Sequence, residues 1–90
     1  MRLKAFRTGV VLETLLAICK NPGIHVRKVY EVVSGSPNAV SNAIKDLKKL
    51  DLIKIEREEN EIPRRKLLYP TDKGRRIGEL LEKIDEILGE

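Results

Sequence analysis

The sequence predicts a small α+β domain, mainly α-helical, in which three helices precede a two-stranded β-hairpin and a fourth helix follows it. Two observations support this fold class. Apolar residues recur at helical spacing in four separate segments, and two β-prone runs flank the polar, turn-like stretch EENEIP. Ninety residues fit a single domain. We divide it into residues 1–70 and a C-terminal helix over residues 71–90.

The first two helices are separated by a strong turn signal. The segment TGVVLETLLAIC carries a broad apolar stripe, which predicts a helix over residues 8–20. The sequence NPG that comes next ends this helix. Ile24 is expected in a short extended piece, and a second helix is expected from His25 to about Val33.

The third helix has a clear start signal. In the sequence SGSP, Gly35 supplies a turn, Ser36 an N-cap and Pro37 the favoured first helical position. The helix is predicted over residues 37–50. Its core face, at three- and four-residue spacing, consists of Val40, Ala43, Ile44 and Leu47.

The hairpin and the last helix complete the predicted order. The hairpin covers residues 53–69, and Thr71 can cap a helix that extends to Leu88. Two helices joined by a short turn that contains Gly form a helix-turn-helix, and the hairpin after them is then a wing. The expected architecture is a winged helix-turn-helix with an additional C-terminal helix.

Small and polar residues occupy the side of the third helix opposite its core face. Asn is a weak helix former, so two asparagines near a helix start indicate a role other than stability. In a helix-turn-helix this helix enters the DNA major groove, where Asn can bridge adenine N6 and N7 and Lys can reach guanine or phosphate. The candidate contacts are Ser36, Asn38, Ser41, Asn42, Lys45 and Lys49. The alternative is a solvated helix face.

Two further basic clusters are candidate phosphate contacts. Arg27 and Lys28 open the second helix, and Arg64, Arg65 and Lys66 begin the returning strand of the wing. The alternative for the wing is an edge strand guarded by charges, or local pairing with the neighbouring glutamates.

Charge is unevenly distributed along the chain. Residues 1–70 contain 14 basic and 8 acidic residues, whereas residues 71–90 contain 4 basic and 6 acidic residues. The attraction for a polyanion such as DNA therefore resides in the first part of the chain.

The sequence shows no sign of an active site or a metal site. It contains no nucleophile–base constellation and no Gly-rich phosphate loop, so we expect neither enzymatic activity nor a cofactor. His25 has no partner ligands at suitable spacing, and Cys19 is interpreted as a small core residue rather than a redox sensor. No apolar run has the length of a membrane span. We expect a cytoplasmic, nucleoid-associated protein without a membrane partner.

The C-terminal helix carries an apolar stripe that a thin core has little surface to cover. The stripe predicts a homodimer interface, because pairing two such helices removes it from water. Its residues are Ile77, Leu80, Leu81, Ile84, Ile87 and Leu88. Packing against the domain's own core is the alternative for the part near Ile77.

The segments SPNAVSNAIKDLKKLDLIKIE and RRKLLYPTDKGRRI, with their spacing, resemble the winged helix-turn-helix transcription regulators of the MarR and ArsR kind. The resemblance covers roughly residues 10–78. In size the chain looks like the short archaeal winged-helix proteins that pair through a C-terminal coiled coil, and this likeness favours antiparallel pairing. The acidic wing tip at residues 58–61 departs from the pattern and argues against deep insertion of the tip into the minor groove.

The function predicted from the sequence is that of a dimeric, sequence-specific transcriptional regulator that binds double-stranded DNA. An architectural chromatin protein and a winged-helix protein-interaction module are the alternatives.

Overall fold

A computed structural model of the chain describes residues 2–6, 8–58 and 65–90. The α+β, mainly helical fold class is confirmed. A single 3₁₀ turn at Arg2–Ala5 precedes the regular elements. These are α1 (Gly9–Lys20), β1 (Ile24–His25), α2 (Val26–Val32), α3 (Pro37–Lys49), β2 (Ile53–Arg57), β3 (Lys66–Pro70) and α4 (Asp72–Leu88).

The core lies where α1, α2 and α3 pack against one face of the sheet. All four apolar residues of the predicted α3 core face are buried, and Leu47 is completely inaccessible. From α1, Leu15 and Ile18 enter the same cluster, and Leu68 enters it from the sheet. The helical spacing of the sequence therefore predicted the buried side of α1 and α3 correctly.

The sheet has three strands, whereas the sequence predicted only the two strands of the hairpin. The strand order is β1-β3-β2, and both pairings are antiparallel. Gly23 adopts a positive φ of 87°, a region that suits glycine, and its N–H donates to the Leu68 carbonyl oxygen at 2.8 Å. Ile24 then pairs with Leu68. Strand β3 of the wing is thereby attached to the segment that leads into α2.

The start of α4 is fixed by a cap and by a close backbone approach. Thr71 Oγ1 accepts from the Gly74 N–H at 3.0 Å and donates to the Asp51 carbonyl oxygen at 2.7 Å. A Cβ at Gly74 would overlap the Leu52 carbonyl oxygen, and a Cβ at Gly78 would lie 2.6 Å from Cys19 Sγ. The two glycines therefore let α4 pack tightly against the body of the domain.

Within the described part of the chain, no helix combines the length and the apolar character needed to cross a membrane.

Candidate nucleic-acid interface

The turn before α3 is held on both sides by side-chain hydrogen bonds. Ser36 caps the helix as predicted, because its Oγ accepts from the Ala39 N–H at 3.2 Å and Pro37 occupies the first turn. Glu13 of α1 accepts from the Ser34 N–H at 2.9 Å. The N-terminus of α3 is thus fixed relative to α1.

The side of α3 opposite the core carries a row of polar side chains. Asn38, Asn42, Lys45 and Lys49 succeed one another at helical spacing and are all exposed, as is Ser36. Ser41 is half-buried and lies at the edge of this row. We call the predicted set Asn38, Ser41, Asn42, Lys45 and Lys49 the α3 polar face. Its exposure leaves the amide and ammonium groups available to a ligand.

A groove runs between the N-terminus of α1 and α3, which the sequence did not reveal. Its volume is about 910 Å³. The lining includes Thr8 just before α1, Val11 of α1, and Ala39, Asn42, Ala43, Lys45, Asp46, Lys48 and Lys49 of α3. Three lysines make its rim cationic, and the small alanines keep it open. The α3 polar face is therefore accessible from its side as well as from its front.

The basic residues of α2 are exposed at its first turn. Arg27 is solvent-exposed, and Lys28 lies 3.4 Å from Glu31 in an exposed pair. An exposed pair of this kind contributes only about 0–1 kcal/mol. Lys28 can therefore exchange Glu31 for a phosphate at little cost.

The strand register of the wing brings together two cations, one of which the sequence pattern did not indicate. Arg57 of β2 lies directly opposite Lys66 of β3, and both are exposed. Like charges in this position repel each other, so the pair favours an anion between them. Arg65 is also exposed, and its carbonyl oxygen accepts from the Glu58 N–H at 3.0 Å. Only the register of the hairpin shows that Arg57 lies beside Lys66 and is a candidate phosphate contact. Arg64 and the wing tip at residues 59–63 lie outside the described residues.

The predicted dimer interface on α4 divides into two parts. Ile77 and Leu81 are half-buried and pack against the core cluster of their own domain. The other four residues are more than half exposed: Leu80 by 60%, Ile84 by 53%, Ile87 by 63% and Leu88 by 78%. We call these four the α4 apolar face. The division of the chain at residue 70 stays a prediction.

Cys19 has the environment of a packing residue. Its Sγ donates to the Gly74 carbonyl oxygen at 3.6 Å. Burial raises the pKa of the thiol, and Arg75 offsets this only in part, while Glu82 and Glu79 add to it. The thiol is therefore mainly protonated at neutral pH. In the ranges 2–6, 8–58 and 65–90, no group of three potential metal ligands occurs.

Comparison with known proteins gives neighbours among the solved structures. No family model matches the sequence, and no curated protein does so. The solved structures include a SlyA-like transcription regulator from Listeria monocytogenes (TM-score 0.84, 30% identity, 98% of this chain and 59% of that one). A MarR-family transcriptional regulator from the same organism, complexed with 26mer DNA, has a TM-score of 0.73 and 34% identity, with 81% of this chain and 48% of that one covered. SSV1 F-93 has a TM-score of 0.76 and 25% identity, with 88% of both chains covered.

These neighbours share the fold of the chain but are mostly longer proteins. The chain spans 59% of the SlyA-like regulator and 48% of the DNA-bound MarR-family regulator. The SlyA-like and MarR-family neighbours are transcription regulators. The chain has the winged-helix fold of the MarR-family and SlyA-like transcription regulators, which are the proteins that its sequence resembles.

Proposed function

We propose that this protein is a transcriptional regulator that binds double-stranded DNA in a sequence-specific manner as a homodimer. The observation that supports this most strongly is the α3 polar face, which is presented on a helix whose apolar side is fully buried. A neighbour with 34% identity and the same fold was solved with bound DNA. No cofactor takes part in this function.

In the proposed complex, α3 lies in the major groove. Its N-terminal half carries Asn38 and Asn42, whose amides can pair with adenine. Lys45 and Lys49 lie further along the helix and reach guanine acceptors or phosphates. Ser36 and the N–H group of Asn38 in the first turn are the proposed contacts to a backbone phosphate, which the helix dipole also favours.

The wing and α2 supply the sequence-independent part of the affinity. Arg57, Lys66 and Arg65 lie at the loop end of the wing strands, and Arg27 and Lys28 lie at the start of α2. Contacts to phosphates position a protein on the duplex but do not read its sequence. Arg64 is proposed for the same role on its sequence position alone.

The α4 apolar face is proposed to pair with the same face of a second copy. Exposed contiguous apolar residues on a small protein mark an interaction surface. In the first turns of α4, Lys73, Arg75 and Arg76 outnumber Asp72, whereas in its last turns Glu82, Asp85 and Glu86 outnumber Lys83. An antiparallel pair brings these opposite charges together, and a parallel pair brings like charges together. Such a dimer presents two α3 helices to successive major grooves about 34 Å apart.

Selection of bound sites from random duplex DNA by the purified protein tests the proposal. We expect a two-fold symmetric site and a nanomolar affinity that falls as salt increases, as specific complexes do. Binding that depends on salt but not on sequence would instead indicate an architectural chromatin protein. Absence of binding to every duplex, even at low salt, would indicate a protein-interaction module.

A further inference from the structure

One polar contact connects the start of α2 to the wing. His25 is the last residue of β1 and the N-cap residue of α2. Its Nε2 atom lies 3.4 Å from Nη1 of Arg65, 40 residues further along the chain. The Arg65 carbonyl oxygen is bonded to the Glu58 N–H, so the Arg65 backbone is held in the wing while its side chain reaches the start of α2.

The chemistry of this contact determines which nitrogen of the imidazole accepts the hydrogen bond. A guanidinium group has only hydrogen-bond donors and stays protonated. A hydrogen bond in this contact therefore runs from the guanidinium to Nε2 of His25, which requires the tautomer that carries its proton on Nδ1. Nδ1 is buried and has no hydrogen-bond partner in residues 2–6, 8–58 and 65–90. Among the described residues, the contact with Arg65 is therefore the one hydrogen bond of the His25 ring.

Neither the cap of α2 nor the strand pairing of β1 uses the imidazole of His25. The side chain makes no capping bond to the first turn of α2. The backbone of His25 pairs with Leu67 of β3, and any residue with extended geometry can do this. The polar function of the side chain therefore lies in its contact with Arg65.

We propose that His25 is a positioning residue for DNA binding, which orients the Arg65 guanidinium between the wing and α2. Held there, Arg65 and the α2 cation Arg27 form one phosphate-binding surface. A free arginine side chain loses rotamer freedom when it binds, and a side chain that is oriented beforehand loses less. This inference rests on the proposed DNA-binding function, because it assigns a role to a residue that does not itself touch DNA.

Substitutions at position 25 test the role through DNA affinity and its salt dependence. His25→Leu removes the acceptor, and His25→Gln retains one. We expect His25→Leu to weaken binding about threefold to tenfold, which corresponds to the loss of one ordinary hydrogen bond, and to reduce the salt dependence. His25→Gln should restore most of the affinity. Thermal melting of each variant verifies that it is folded.

A double-mutant cycle separates positioning from a general structural effect. In an Arg65→Ala background, His25→Leu should have no further effect on DNA affinity, because the group it orients is gone. In the matched Arg27→Ala background its full effect should persist. An equal loss in both backgrounds, or no loss in the wild-type background, would overturn the proposal.

A measurement without DNA keeps this inference distinct from the proposed function. The chain contains one histidine, so a tag-free, ¹⁵N-labelled sample gives a single set of imidazole signals. We expect an unprotonated Nε2 whose shift changes in Arg65→Ala and not in Arg27→Ala. A proton on Nε2 of the neutral ring would overturn the contact and leave the DNA-binding proposal intact. Failure of the wild type to bind any duplex would overturn the DNA-binding proposal, and with it this role of His25.

Discussion

Helices α3 and α4 are both amphipathic, but the domain buries the apolar side of α3 and leaves much of the apolar side of α4 exposed. In α3 the four apolar residues from Val40 to Leu47 are at most 7% exposed. In α4 the residues from Leu80 onwards, apart from the half-buried Leu81, leave more than half of each apolar side chain in water. The difference arises from their neighbours.

Helix α1, which packs against α4, is shorter than α4. Helix α1 covers α4 where Gly78 contacts Cys19, and Glu82 lies 3.9 Å from Lys20, the last residue of α1. Helix α4 continues to Leu88. An amphipathic pattern therefore identifies an apolar side, whereas the length of the neighbouring element determines whether the domain itself can bury it. We infer that α3 offers its polar side to a ligand and that α4 offers its apolar side to a protein partner.

The largest expected effect is the loss of packing under α3. Leu47→Ala removes a completely buried side chain and should lower the free energy of unfolding by about 2–5 kcal/mol. This loss should not depend on protein concentration. Leu80→Ala is the matched change on α4. It should lower the free energy of unfolding only at concentrations where the protein associates. Urea denaturation at two protein concentrations measures both. A concentration-independent loss of similar size for Leu80→Ala would contradict the distinction between the two helices.

The next effect concerns the α4 apolar face. Ile84→Glu combined with Ile87→Glu should give a folded monomer, because neither side chain belongs to the core. DNA affinity should fall by about 100-fold or more, since the two half-sites are no longer bound together. Leu81 is avoided because it packs against its own domain. Lys83→Glu is the control, since it adds a negative charge to α4 outside the apolar face. Light scattering gives the mass in solution. A wild-type mass near that of one chain, at protein concentrations well above the Kd for DNA, would contradict the dimer.

The third effect tests the α3 polar face. Asn42→Ala should lose discrimination at one or two base pairs by about 1–3 kcal/mol, the value of a good bidentate contact. Lys49→Ala should weaken all duplexes more evenly. Titration of a panel of single-base variants of the selected site distinguishes the two. An unchanged base preference in Asn42→Ala would remove that residue from sequence recognition.

The smallest effect has opposite signs for stability and for binding. Arg57→Ala relieves the repulsion with Lys66 and should stabilise the fold by about 0.2–1 kcal/mol. It should also lower the slope of log K against log salt by about 0.9, the value of one lost phosphate contact. Lys54→Ala is the control, because the alternation along β2 places Lys54 on the other face of the sheet. Loss of stability in Arg57→Ala would show that Arg57 serves the fold and not the DNA.

The features that could be predicted depend on local physics. Helical spacing predicted α1, α3 and α4, and the Ser36 cap was correct because it involves residues only three positions apart. Strand β1 was foreseen only as an extended piece at Ile24, since a two-residue strand has no periodicity of its own. Arg57 was missed for a similar reason, because its closeness to Lys66 depends on the register of two strands.

The sequence by itself determined which residues form helices, which side of each helix is apolar, and where the basic residues are concentrated. These properties arise from backbone propensities and from spacing along the chain. Only the tertiary structure decided that β1 joins the sheet, that His25 meets Arg65, and that α4 extends beyond the helix that covers it. Each of these features depends on contacts between segments that are distant in the chain, and local spacing does not predict such contacts.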